Sequence, residues 1–148
     1  MLINIIDEYC NRNKDAEHYK RWVLSRPYYS ETDWRFYGDP SGASRGSSLK
    51  SWISELAPEI QVQYRTKPSV NDMIANANKY ISCVRINEKQ CPKTFEMFEN
   101  WAYPMDAQEN PKEGALPNHD LYSHPGTAFY YGTINHFDNS NRGGALVY

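Results

Sequence analysis

The sequence predicts one α/β domain whose sheet is largely parallel. Segments typical of strands alternate with segments typical of helices along the chain, and this alternation is the pattern of helices that cross over between parallel strands. The chain has 148 residues, of which 40% are hydrophobic and 14% are aromatic. This length and composition suit one ordinary domain with a packed core.

The first half of the chain contains three predicted strands. The apolar residues 2–6 predict a buried strand, residues 33–39 a second strand, and the alternating residues 60–64 a third. A helix is predicted over residues 14–26, because its acidic residues come early and its arginines late. A second helix ends before Pro58 and has Ser47 or Ser48 as its expected N-cap. Its apolar face is Leu49, Trp52, Ile53 and Leu56.

The second half of the chain contains the clearest amphipathic stripe. A helix opens at Pro68 and Ser69, and we expect Ser69 and Asp72 to cap it. The stripe consists of Val70, Met73, Ile74, Ala77, Tyr80 and Ile81. The elements that follow are a short strand at 83–86, a helix that starts at Cys91 and Pro92, an irregular loop or loose hairpin at 103–119, and a helix at 121–136. The folded domain is predicted to span 1–137, and 138–148 to form a flexible tail.

Charge and cysteine content narrow the class of protein. The formal net charge is −2, whereas a free-standing nucleic-acid binder is usually basic. This charge still allows a local site that holds DNA through metal ions. The three cysteines form no CxxC pair, which argues against a disulfide framework or a zinc site. The first residues resemble neither a signal peptide nor a membrane span, so we expect a cytoplasmic protein.

A carboxylate stands where the second predicted strand gives way to a glycine-rich turn. Asp39 follows the aromatic run of that strand and precedes Pro40, Ser41 and Gly42. In parallel sheets, functional groups lie at the carboxyl ends of the strands, and this position makes Asp39 a candidate site residue. The alternative is an aspartate that only shapes its own turn, which is the commoner role of aspartate before Pro-Ser-Gly.

Four segments together resemble the C-terminal nuclease domain of tailed-phage terminase large subunits. They are INIIDEY, FYGDPSGASRGSS, KPSVNDMIANANKYISCVRINEKQCP and NHDLYSHPGTAFYYG, and they span roughly residues 3–137. The resemblance implies an RNase H-like three-layer fold with a mixed, mostly parallel central sheet flanked by helices. It also implies a metal-dependent endonuclease that cuts concatemeric viral DNA during genome packaging in the host cytoplasm.

The resemblance assigns roles to particular residues. Asp39 and Asp120 correspond to catalytic positions, and Asp39, Asp120 and His124 would hold Mg²⁺ or Mn²⁺. Such sites use two divalent ions clamped by several carboxylates, one ion activating water and the other stabilising the leaving oxygen. Double-stranded DNA is the implied substrate, and other terminase and portal components are the implied partners.

The chain departs from the family pattern in three ways. No residue matches the first catalytic aspartate, whose strand would precede this chain, and no ATPase domain is present. Thr127 stands where the family commonly has an acidic residue. We therefore expect an N-terminally truncated fold with weak or no activity alone, completed by a homo-oligomer or by a partner chain that supplies the missing strand.

Two further hypotheses stay open. The chain can be a catalytically dead RNase H-like adaptor that acts through protein–protein contacts, which Thr127 and the missing first strand both favour. An unrelated phosphotransfer or hydrolase domain would need a phosphate loop or a nucleophile elbow, and we interpret SGASRG as a loose Gly-Ser turn. Asp120 is explained as well by a helix cap as by a metal ligand. His136 is a weaker candidate for a metal ligand than His124. Asp7 and Glu8 are interpreted as a solvated pair at a strand end.

Overall fold

The computed structural model describes residues 1–31, 33–44, 51–64 and 69–137. These residues form a mixed α/β structure of five helices and four short strands. In chain order the elements are β1 (Ile3–Ile5), α1 (Ala16–Leu24), β2 (Phe36–Tyr37), α2 (Trp52–Leu56), β3 (Val62–Gln63), α3 (Val70–Asn78), β4 (Val84–Ile86), α4 (Pro92–Asn100) and α5 (Ser123–Phe137). None of the described helices is long and apolar enough to cross a membrane.

The described strands form two separate parallel pairs, which differs from the single central sheet predicted. β1 pairs with β4, with Ile3 opposite Val84, and β2 pairs with β3, with Phe36 opposite Val62. Parallel pairing across helical connections agrees with the alternation in the sequence. The second predicted strand covered seven residues, but only Phe36–Tyr37 pairs as a strand, so little ladder is available there to join a wider sheet.

The chain divides into two compact units, which are described separately. Unit 1 consists of Met1–Tyr9 and the described part of Pro68–Ile134. It contains the β1–β4 pair, α3 and α4. Unit 2 consists of the described parts of Cys10–Lys67 and Asn135–Tyr148, and it contains the β2–β3 pair, α1 and α2. The predicted domain 1–137 therefore comprises parts of both units, and the predicted tail 138–148 lies outside the described residues.

The core of unit 1 is built on the amphipathic stripe predicted for α3. Met73, Ile74 and Ala77 of this helix are buried, and Ser69 caps it by accepting a hydrogen bond from the Asp72 backbone nitrogen at 3.0 Å. The Ser69 hydroxyl also donates to Asp72 Oδ2 at 2.6 Å. The sequence pattern and the observed burial agree over these three residues, because a helix buries residues at a spacing of three and four. The predicted stripe continued to Tyr80 and Ile81, but α3 ends at Asn78 and Ile81 is exposed, so this part of the prediction was wrong.

Close packing joins α5 to α4 and to Trp101 directly after it, in unit 1. Phe98 and Phe129 meet edge to face, with ring centroids 5.0 Å apart, and Trp101 stacks on Tyr130 at 5.2 Å. Gly126 lies against the same indole, and a Cβ atom there would overlap the Trp101 ring. Only glycine therefore fits at residue 126 without moving Trp101.

The other elements begin and end close to the predicted positions. An isolated antiparallel bridge joins Met105 to Pro111. Of the two structures predicted for 103–119, an irregular loop or a loose hairpin, the segment therefore contains the hairpin. The proposed caps Ser47 and Ser48, with Leu49, lie outside the described residues. The helix that follows them begins at Trp52, and its N-cap is Ser51.

Candidate functional site

The Asp39 carboxylate lies just beyond β2 in unit 2. Gly38 continues the pairing, since its backbone nitrogen donates to the Gln63 carbonyl at 3.0 Å. A Cβ atom on Gly38 would come within 2.7 Å of the Val62 side chain, which explains a glycine immediately before the aspartate. Asp39 is exposed, and the sequence placed it correctly at the carboxyl end of a parallel strand.

Asp39 also organises its own turn. Its Oδ1 accepts a hydrogen bond from the Ser41 backbone nitrogen at 2.7 Å, and Asp39 is the N-cap of the 3₁₀ turn Pro40–Ala43. Asp39 therefore does shape its own turn, as the alternative interpretation predicted. Within the described residues, Oδ2 has no hydrogen-bond partner, so one carboxylate oxygen is available to a ligand while the other holds the turn.

Asp120 has a similar local role in unit 1, before α5. Its Oδ1 accepts from the Tyr122 backbone nitrogen at 2.9 Å. Its carbonyl oxygen accepts from the Ser123 hydroxyl at 2.7 Å. Because α5 begins at Ser123, Asp120 orders the turn that leads into the helix, as the capping interpretation expected. Asp120 is exposed, so its second oxygen can meet solvent or an ion.

His124 and Thr127 lie in the first turns of α5. His124 is exposed, and its ring centroid lies 6.2 Å from that of His119. Thr127 follows three residues later on the same side of the helix and is half-buried. The acidic residue of the resembled family would therefore stand next to His124 along the helix, and here that position offers only a hydroxyl.

The three predicted metal ligands belong to different units. Asp39 is part of unit 2, and Asp120 and His124 are part of unit 1. Within the part of the chain that the structure describes, no group of three or more His, Cys, Asp or Glu side chains is placed to hold a metal ion. Asp120 and His124 thus provide one oxygen donor and one nitrogen donor near the start of α5, and Asp39 provides an oxygen donor in its own unit.

His136, the weakest of the histidine candidates, is engaged elsewhere. Its Nδ1 lies 3.0 Å from the Tyr37 hydroxyl, and the two rings meet edge to face with centroids 5.8 Å apart. Both residues belong to unit 2. The contact ties the end of α5 to β2, which accounts for His136 without a metal.

Glu8 has a structural role that the sequence interpretation missed. Its carboxylate accepts hydrogen bonds from the backbone nitrogens of Lys93 at 2.9 Å and Thr94 at 2.8 Å, and from the Thr94 hydroxyl at 2.7 Å. The interpretation as a solvated pair was wrong for Glu8, because this carboxylate caps the N-terminus of α4. The sequence contained one indication of this role. The N-cap of α4 is Cys91, whose side chain makes no capping hydrogen bond, so the free backbone nitrogens of the first turn need an acceptor from elsewhere.

Cys91 lies beside this cap and is fully buried. Its Sγ donates to the Ile5 carbonyl at 3.8 Å. Burial raises the pKa of the Cys91 thiol, and the negative charges of Glu8 and Asp7 raise it further. A thiol that stays protonated is a poor nucleophile, so Cys91 is a packing residue between β1 and α4.

The Gly-Ser segment after Asp39, interpreted from the sequence as a loose turn, contains the GxSxG pattern of a nucleophile elbow, at Gly42–Gly46. In hydrolases this pattern forms a strained turn that leads directly from a strand into a helix. Here Ser44 follows a 3₁₀ turn and has an extended backbone, with φ −71° and ψ 141°. Arg45 and Gly46 lie outside the described residues. The described part of the segment therefore lacks the strand that a nucleophile elbow requires before its serine.

No family model matches the chain, and no curated protein or solved structure matches it. The function proposed below rests on the chain's own motifs and on the geometry of the described residues.

Proposed function

We propose that the chain is the nuclease part of a phage terminase large subunit. In this proposal it has an RNase H-like fold and acts in the host cytoplasm as a metal-dependent endonuclease on concatemeric viral DNA. The four motifs follow the order of the resembled family over residues 3–137. Their predicted helices and strands agree in type with the described elements, from β1 through α5.

The observation that carries the proposal is the position of Asp39. An exposed carboxylate two residues beyond a parallel strand, preceded by a glycine in close contact with the neighbouring strand, is typical of a functional carboxylate in α/β proteins. The hydrogen bond to the Ser41 backbone nitrogen fixes the side chain. A fixed carboxylate with one oxygen available is suited to binding a divalent ion, because less side-chain freedom is lost on binding.

Asp120 and His124 provide a second pair of donors, in unit 1. Both are exposed near the start of α5, and Asp120 is likewise fixed by a backbone hydrogen bond. Mg²⁺ prefers oxygen ligands, whereas Mn²⁺ accepts imidazole more readily. Within unit 1, the combination of the Asp120 carboxylate with the His124 imidazole therefore favours Mn²⁺ over Mg²⁺. Divalent ions bound by such residues would supply an activated water and stabilise the leaving oxygen of the cleaved phosphodiester.

The open edge of β1 supports the proposed partner. The Ile5 carbonyl accepts a hydrogen bond from the Asn87 backbone nitrogen, so the backbone groups of Ile5 face β4. Because backbone groups alternate in direction along a strand, those of the preceding residue Asn4 face away from β4, toward the other edge of β1. No strand pairs with that edge among the described residues, and Met1, Leu2 and Ile6 are exposed around it. An additional strand, from a second copy or from another packaging component, would pair with these groups and cover the apolar side chains.

Plasmid cleavage tests the catalytic claim. Purified protein is incubated with supercoiled plasmid DNA in Mn²⁺, in Mg²⁺ or with EDTA, and nicked product is measured. Asp39→Asn and Asp120→Asn keep an oxygen that can accept the local hydrogen bond but remove the charge. Each variant is expected to lower metal-dependent nicking by at least the roughly 10- to 100-fold that outer-shell changes cost at metal sites.

Asp15→Asn is the matched control for these variants. Asp15 caps α1 by accepting from the His18 backbone nitrogen at 2.8 Å, the same kind of bond as at Asp39, and it is no part of the proposed site. Nicking that survives EDTA, or that falls equally in all three variants, would contradict the proposal.

One specific observation favours the adaptor as the second candidate. Asp39 and Asp120 both serve as local caps, and Thr127 replaces an acid next to His124. These features suit a scaffold that keeps its carboxylates for folding and binds other proteins. The adaptor predicts that folded protein fails to nick DNA with either metal. It also predicts that Asp39→Asn changes stability slightly and partner binding not at all.

A further inference from the structure

Unit 2 contains a groove that the proposed nuclease function does not use. Its volume is about 350 Å³, at the lower end of the roughly 300–1,000 Å³ found for small-molecule sites. Aromatic, acidic and amide side chains and one proline line it, and none of the lining residues that the structure describes is basic: Tyr29, Asp33, Trp34, Phe36, Pro58, Glu59, Gln61 and Gln63.

The aromatic wall of the groove is held in place by its own contacts. Trp34 stacks on Tyr29 with an interplanar angle of 7° and centroids 5.9 Å apart, and on Phe36 at 24° and 6.3 Å. The Trp34 indole nitrogen donates to the Tyr29 carbonyl at 2.6 Å. The wall is therefore preformed, although Trp34 is 38% exposed.

The lining of the groove also carries negative charge, from Asp33 and Glu59. Glu59 is paired with Lys20 at 3.3 Å, but the same ammonium also lies 3.1 Å from Glu17, so one cation is shared by two carboxylates. A hydrogen bond from the Glu59 backbone, with a smaller contribution from Lys20, lowers the pKa of the Glu59 carboxyl. Asp33 has no ion-pair partner within the described residues. Gln63 ends β3 and Gln61 directly precedes this strand, and both side chains line the groove.

We propose that this groove binds the arginine side chain of a partner polypeptide. A guanidinium group is flat and cationic, so it can lie against the stacked rings while its N–H groups donate to Asp33 and to the glutamine amide oxygens. A compact ammonium would gain the charge interaction but not the stacking. A free amino acid fits less well, because its α-carboxylate would come close to the carboxylates of Asp33 and Glu59, and Lys20, which lies beside Glu59, is already paired with Glu17 and Glu59.

Titration with blocked tripeptides tests the proposal. The probes are acetyl-Gly-Arg-Gly-amide, the same peptide with citrulline, and free arginine. Binding is measured by calorimetry, and its place by the NMR shift of the Trp34 indole N–H. Citrulline keeps the shape of arginine without its charge. We expect the arginine peptide to shift the Trp34 signal and to bind more tightly than free arginine, and the citrulline peptide to bind more weakly.

Two matched variants locate the charge effect. Asp33→Asn is expected to raise the Kd of the arginine peptide about tenfold, the loss expected for one charge-assisted hydrogen bond. Glu88→Gln removes an exposed carboxylate of unit 1 and should leave the Kd unchanged. Glu59→Gln, also in the groove, provides a second test if Asp33→Asn folds poorly. Equal affinity for citrulline, or a Trp34 signal that does not move, would overturn the proposal.

Discussion

The two units each contain a short parallel strand pair, but they differ in how many apolar side chains they bury. Most of the buried apolar residues of the described chain belong to unit 1, among them Met73, Cys91 and Met97, whereas unit 2 contributes Ala16 and Ile60. Unit 2 instead displays stacked rings around Trp34 that are partly exposed. We therefore expect substitutions in the packed contacts of unit 1 to lower stability more than substitutions in unit 2.

The largest change in unfolding free energy is expected from adding a methyl group at Gly126, where α5 packs against Trp101. Gly126→Ala should destabilise the protein by roughly 1–3 kcal/mol, the usual result of overpacking a well-fitted contact. Gly132→Ala in the same helix is the matched change, because nothing lies within 4 Å of a Cβ atom there. It should stabilise the protein by up to about 1 kcal/mol through helix propensity. Urea unfolding measures both, and a shift in the same direction for both would break the packing argument.

The next largest effect should come from the cap of α4. Glu8→Ala removes the acceptor for the backbone nitrogens of Lys93 and Thr94 and should cost about 1–2 kcal/mol of unfolding free energy. Glu88→Ala, which removes a carboxylate without described hydrogen bonds, is the control. Thermal and urea unfolding of the two variants give the comparison. Equal stability of both variants would mean that solvent replaces Glu8 at the helix terminus.

A smaller, pH-dependent effect is expected at Tyr130. Burial raises the pKa of this phenol to about 12, with a smaller contribution from Tyr103. Between about pH 10 and 12 the unfolded state would lose this proton while the folded state keeps it, so stability should fall as pH rises. Because Tyr130 is only half-buried, we expect a loss of about 1 kcal/mol after allowance for solvent screening.

Tyr130→Phe should reduce the fall in unfolding free energy between about pH 10 and 12, and the control variant Tyr122→Phe should not. Unfolding free energies at several alkaline pH values decide between them. If the two variants decline equally, alkaline destabilisation comes from other groups.

The smallest effect should come from unit 2. Tyr37→Phe removes the hydrogen bond to His136 Nδ1 but keeps the ring contact, and it should cost about 0.5 kcal/mol, the lower range for one hydrogen bond. The measured unfolding free energy should therefore change less than in Glu8→Ala. A larger loss than in Glu8→Ala would reverse the ranking of the two units.

The sequence predicted elements whose signals are local. The Met73, Ile74 and Ala77 part of the α3 stripe, the Ser69 cap and the hairpin within 103–119 depend on spacing over a few residues, and the structure contains all three. The position of Asp39 at the end of a strand was also readable, because an aromatic run and a glycine precede it. Local patterns set these features, so they needed no knowledge of distant partners.

Features that depend on distant partners were not predicted. Glu8 caps a helix that begins more than eighty residues later in the sequence, and Gly126 is required by an indole that lies in another segment. The division into two strand pairs likewise depends on which short strands meet, and a strand of two residues contains almost no pattern. At the candidate site, the sequence identified the carboxylates but not the backbone nitrogens to which each one is bonded.

The most direct test of the proposed function is where Mn²⁺ binds. Paramagnetic Mn²⁺ broadens NMR signals near it, and the backbone N–H groups of Ser41 and Tyr122 donate to Asp39 and Asp120. The N–H group of His18, bonded in the same way to Asp15, is an internal control. The proposal predicts selective broadening of Ser41 and Tyr122 at Mn²⁺ concentrations below that of the protein, lost in Asp39→Asn and Asp120→Asn respectively. No broadening, or equal broadening at His18, would contradict a metal-dependent nuclease.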